Sequence, residues 1–100
     1  MRRPKTLTVA SIDWKIKWVE KLKNQGHCNS DNLTIKIRSK LSRDSARHVL
    51  WHEVKHAIWW CYGITPDKKD IEESIVNSMS GPEIEVMRNN PRVSAYIFDD

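Results

Sequence analysis

The sequence predicts an α+β domain, on three observations. Apolar and polar residues alternate in short runs through the N-terminal third, which is the period of half-buried strands. A run from Asp44 to Tyr62 carries its apolar residues at helical spacing. Beyond it, Pro66, Ser80-Gly81-Pro82 and Asn90-Pro91 divide the remainder into short helical pieces.

The elements follow in order. Residues 1 to 5 are basic with a proline and are expected to be flexible. Leu7 and Val9 alternate with Thr6 and Thr8, a first strand. Trp14, Ile16 and Trp18 alternate with Lys15 and Lys17 in the opposite phase. A tight turn near Ser11 therefore joins two strands into a hairpin, although it lacks Asn-Gly or Asp-Gly. β-Branched and aromatic content argues against a helix from Ile12 to Lys23. Lys23 to Asn32 reads as a polar loop, with His27 and Cys28 as loop residues. Leu33, Ile35 and Ile37 alternate with Thr34, Lys36 and Arg38, the clearest strand in the chain.

Ser42 or Asp44 caps the long helix, which ends at Tyr62-Gly63 with glycine at the C′ position. A second helix is expected from Ile71 to Met79. A third runs from Pro82 or Glu83 to Asn89 with Ile84, Val86 and Met87 as its apolar residues. Arg92 to Phe98 is either a short helical turn or an extended tail, docked by Val93, Tyr96 and Ile97.

A chain of 100 residues holds a single domain, 1–100. The five tryptophans read as packing for a small core. The net charge of +4 is scattered, which allows weak nucleic-acid contact but shows no basic stripe. Two cysteines are too few for a disulfide scaffold. Arg2 and Arg3 are not followed by an apolar leader, and the longest apolar run, Ala57 to Tyr62, is far below a membrane span. The expected setting is cytoplasmic, with reduced thiols and no membrane partner.

The chemistry concentrates in His52-Glu53-Val54-Lys55-His56. At about 100° per residue, Leu50, Val54, Ala57, Ile58 and Cys61 form one apolar face of the long helix. His52, His56, Trp60 and Glu53 gather on a separate face, and Lys55 lies between, toward solvent. Residues four apart lie one above the other on a helix, so His52 and His56 can aim at one point, as two ligands of a tetrahedral zinc must. Glu53 sits beside that point, where a general base acting on a water belongs.

A catalytic zinc takes three protein ligands. The helix from Ile71 offers Glu72 and Glu73. On the helical wheel Glu72 borders the Ile71, Ile75 and Met79 face, whereas Glu73 points away. By pattern, Asn77 lies one turn beyond Glu73 and can hold a ligating histidine by hydrogen bond, which Val76 cannot do from Glu72. Glu73 is preferred, with Glu72 as the alternative. Candidate oxyanion partners are His48, one turn before His52, together with Tyr62, His27 and Tyr96.

His52-Glu53-x-x-His56 followed by Glu73-x-x-Val76-Asn77 resembles a minimal gluzincin-type zinc metallopeptidase. More closely, the chain resembles small phage-borne metallopeptidases related to the ImmA/IrrE and SprT-like groups. Val49-Leu50-Trp51 before the motif, Ala57-Ile58 after it and Asn90-Pro91 share in the likeness. It implies a zincin-like fold with an N-terminal three-stranded antiparallel sheet packed on the active-site helix. It also implies one zinc ion held by His52, His56 and Glu73, with Glu53 as general base. Lys55 departs from the family's usual small residue, and Asn77 stands where an acid is common.

The function so implied is hydrolysis of a protein or peptide by a water that the metal activates, in the host cytoplasm if the chain is phage-encoded. The rival class is a non-catalytic zinc-fold regulator, of anti-repressor or anti-restriction type, that binds a protein or nucleic acid. Glu53 favours the first, because a purely structural site has no use for a base. The basic charge favours the second.

Overall fold

The structure is a computed structural model that describes residues 2–63 and 81–99. Four strands, β1 (Thr6–Val9), β2 (Ile12–Val19), β3 (Gly26–Asn29) and β4 (Thr34–Arg38), form one sheet in the order β1-β2-β4-β3. Helix α1 (Arg43–Tyr62) lies against that sheet. Helical backbone over 81–89 (α2) and a helix Pro91–Phe98 (α3) follow. The α+β class stands. The expected helix Ile71 to Met79 lies outside the described residues.

The expected three-stranded antiparallel sheet is corrected to a four-stranded mixed one. β1 pairs with β2 and β3 with β4 antiparallel, but β2 and β4 run parallel, with Ile16 opposite Ile35 and Trp18 opposite Ile37. The extra strand, β3, falls within the segment read as a polar loop. Gly-His-Cys-Asn has no alternation of apolar residues and no β-branched residue, so nothing local announces a strand. It forms because a tight turn folds it back on β4. In that turn Asn29 Oδ1 accepts from the Asp31 amide at 2.9 Å, and Leu33 adopts φ 53°.

The β1–β2 hairpin has the register of a two-residue loop, with Val9 opposite Ile12. Ala10 and Ser11 both take positive φ, 49° and 64°, which such a loop demands and neither side chain favours. Leu7, Val9, Trp14, Ile16, Ile35 and Ile37 all face the helices and are buried, as their alternation requires.

Ser42 caps α1, its hydroxyl accepting from the Ser45 amide at 3.2 Å. Gly63 ends the helix in the left-handed conformation, φ 63°. Ala46, Leu50, Val54, Ala57 and Ile58 are buried against the sheet. Lys55 is half-buried, with its ammonium 5.0 Å from the Trp51 ring centre.

The C-terminal segment is a helix rather than an extended tail. Val93, Tyr96 and Ile97 bury one side of α3, and the Tyr96 carbonyl accepts from Arg47 Nε at 3.0 Å. Ile84, expected to be apolar packing, is 60% exposed, and Val86 alone of that helix is fully buried. Asn90 joins the helices to the sheet. Its amide accepts from Thr8 N at 2.8 Å and donates to Thr8 O at 2.7 Å, pairing with the outer edge of β1, and it also donates to Val86 O at 2.8 Å.

Arg3, Pro4 and Lys5 make hydrogen bonds to the rest of the chain. The Lys5 carbonyl accepts from Ile16 N at 2.8 Å, the Pro4 carbonyl from Trp18 Nε1 at 2.9 Å, and Arg3 donates to Ser39 O at 2.6 Å. Among the described residues no helix is long and apolar enough to cross a membrane.

Candidate metal centre

The polar face of α1 meets the edge strand β3, and an open cleft of about 420 Å³ lies between them. Gly26 and Cys28 of β3 and Glu53 of α1 line it together with His52, His56, Trp60, His27 and Ser30. The wheel reading of α1 holds: the four residues of its separate face, His52, Glu53, His56 and Trp60, all line this cleft.

His52 and His56 are exposed and stand one turn apart, with their Nε2 atoms 3.1 Å from each other. Two imidazoles bound tetrahedrally to one zinc at about 2.0–2.1 Å would hold their nitrogens about 3.3 Å apart. The pair is therefore close to the spacing of two ligands of one ion. In the absence of metal the same contact is an imidazole–imidazole hydrogen bond, one ring donating to the other.

Glu53 is different in kind. It is 7% exposed, and no lysine or arginine pairs with it among the described residues. A buried carboxylate without a cation is costly, and a divalent ion in the adjoining cleft would offset that cost. Its position depends on Gly26. A Cβ at residue 26 would lie 2.5 Å from Val49 Cγ1 and 2.9 Å from Glu53 Oε2. Only glycine lets β3 approach α1 this closely over the carboxylate.

Cys28 lies beside Glu53. Burial pushes its thiol up to about 12, helped by the negative charge of Glu53 and by Cys61. Cys61 is also raised, by burial, against the opposing effect of Trp14 Nε1, which donates to its sulfur at 3.4 Å. Trp60 stands at the rim, 51% exposed, with its ring edge-on to buried Trp14 at 5.9 Å.

The other candidates separate. His48 lines a neighbouring hollow with Gln25, Val49, His52 and Glu53, next to the cleft but outside its lining. Tyr62 turns to α2, where its hydroxyl donates to Glu85 Oε2 at 3.3 Å; desolvation and the Glu85 charge raise its pKa. Tyr96 is buried in the core against Trp18 and does not line the cleft. His27, read as a loop residue, instead lies on β3 and borders the cleft, as does Cys28; opposite Lys36 in the register, its side chain belongs to the sheet face turned away from α1. The sequence did hold one sign of this wall: a glycine directly before His27 and Cys28, where a backbone passes close to another element. Glu72, Glu73 and Asn77 lie outside the described residues. Among the described residues, no group of three or more His, Cys, Asp or Glu side chains is gathered to hold a metal ion.

In comparisons with family models, with curated proteins and with solved structures, nothing matches the chain.

Proposed function

We propose that the chain is a zinc-dependent peptidase of minimal gluzincin type, in which His52 and His56 hold the ion, with Glu73 or, alternatively, Glu72 as third ligand. The observation that carries this reading is the pairing of two convergent imidazoles, 3.1 Å apart, with a buried carboxylate from the same helix. A structural metal site needs the first and has no need of the second.

Zinc, when bound, supplies Lewis acidity, bringing the pKa of a water to about 7 and polarising a carbonyl. The chain's own residues do the rest. The Glu53 carboxylate takes a proton from the attacking water and returns it to the leaving amine. Burial under β3 keeps that carboxylate in one place, so little ordering is needed at the moment of transfer. β3 is the last strand of the sheet, and its outer edge borders the cleft. An extended peptide can pair its backbone with that edge and so present a carbonyl to Glu53 and the histidines. Trp60 offers an apolar wall to a substrate side chain.

The test is digestion of a peptide mixture by zinc-loaded protein, read by mass spectrometry, beside Glu53→Gln. The variant should keep its zinc and lose roughly 10²–10⁴-fold in cleavage rate. Equal cleavage by both proteins would refute the role of Glu53. Zinc binding with no cleavage by wild type would leave a non-catalytic module.

A further inference from the structure

The sheet has two faces, and among the described residues helices cover only one of them. The residues between the buried ones point away from α1, and the strand register places their side chains in rows. One row is Lys17, Lys36 and His27, at directly opposing positions on β2, β4 and β3. The next contains Lys15 opposite Thr34. Lys15, Lys17 and His27 are exposed and Lys36 is half-buried.

This row is electrostatically unfavourable as it stands. Directly opposing side chains on neighbouring strands are about 5 Å apart, and like charges there are destabilising. Among the described residues no ion pair relieves Lys15, Lys17 or Lys36. Asp13, the acid on this face, lies toward the β1–β2 turn and accepts from the Thr8 hydroxyl at 2.9 Å. The face also lacks aromatics among the described residues, since Trp14 and Trp18 fall on the alternating positions that face the helices. A surface with lysines in register and no Trp, Tyr or Phe suits phosphates and offers little for unpaired bases to stack on.

We propose that this open sheet face is a docking surface for the phosphate backbone of double-stranded nucleic acid, contacted by Lys15, Lys17 and Lys36 with His27 at the end of the row. The contact is independent of base sequence. It does not rest on the metal site, which lies on the helix side of the sheet. A second basic cluster, Arg2, Arg3, Lys5 and Arg92, lines a groove by α3. Its Arg3 is already engaged, 4.6 Å over the Trp18 ring and bonded to Ser39 O.

Fluorescence anisotropy with a labelled duplex DNA of arbitrary sequence tests this, with salt varied from about 50 to 200 mM. Wild type should bind with a log–log salt slope near −3, about −0.9 for each of three phosphates neutralised. Lys17→Gln/Lys36→Gln should flatten that slope by about 2 and weaken binding at least tenfold at low salt. Its thermal melt should be no lower than wild type, which shows the fold intact. Arg92→Gln and His56→Ala should bind as wild type does. The proposal is overturned if wild type does not bind, if the lysine pair is neutral, or if Arg92→Gln accounts for the affinity. It is equally overturned if poly-glutamate or phosphatidylserine vesicles bind as tightly as the duplex.

Discussion

Gly26→Ala probes the contact on which the cleft is built. The backbone itself would tolerate alanine: Gly26 is not in the left-handed region, so the substitution alone would stabilise by about 0.4–1 kcal/mol through the unfolded chain. The neighbours decide otherwise. The new methyl would stand 2.5 Å from Val49 Cγ1, where carbon atoms rest at about 3.5–4.0 Å, so strand and helix must part by about 1 Å or more. Overpacking of this kind costs about 1–3 kcal/mol, leaving a net loss of roughly 1.3 kcal/mol at the middle of the two ranges. In a domain of this size each kcal/mol lowers the melting temperature by about 4–8 °C. Thermal and urea unfolding followed by circular dichroism measure it. Val49→Ala removes the nearer obstacle, so the double variant should cost at least about 1 kcal/mol less than the sum of the two single ones. The methyl would still lie 2.9 Å from Glu53 Oε2, and the double variant should therefore recover stability before it recovers the proposed peptidase activity. A Gly26→Ala protein as stable as wild type, or strict additivity with Val49→Ala, would show that β3 does not press on α1 here.

Two further outcomes test the frame around the site. Ala10 and Ser11 both hold positive φ in the β1–β2 turn, so Ala10→Asn/Ser11→Gly should raise stability by about 1–2 kcal/mol in urea unfolding; no gain would mean the turn is not of this type. Asn90→Ala removes two hydrogen bonds to Thr8 and one to Val86, and should lower stability by about 1–3 kcal/mol and speed amide exchange at Thr8; unchanged exchange there would refute the pairing.

What the sequence revealed and what it hid divide by range. α1 was legible because its cap at Ser42, its apolar stripe and Gly63 are all local signals. The β1–β2 hairpin was legible from the phase change between Val9 and Trp14. β3 was not, because Gly26 to Asn29 owes its extended form to β4 and α1, which come later in the chain. The parallel pairing of β2 with β4 was hidden for the same reason: alternation says which residues are buried, not which strand lies beside which. α3 is ambiguous in the sequence because its helical form depends on Val93, Tyr96 and Ile97 packing into the core.

The site divides in the same way. His52, Glu53 and His56 lie within five residues on one helix, so their convergence could be computed from periodicity. The opposite wall, Gly26, His27 and Cys28, is brought by the sheet and carried only the faint signal of one glycine. Tyr62 and Tyr96 were plausible partners by number and are turned elsewhere by Glu85 and by the core.

In the proposed site His52 and His56 converge to hold one ion. Its most direct test is the zinc content of purified protein after dialysis, by elemental analysis, for wild type and His56→Ala. Wild type should carry one zinc per chain, and the variant should lose most of it. A wild type without zinc, or a His56→Ala protein that keeps its full complement, would contradict it.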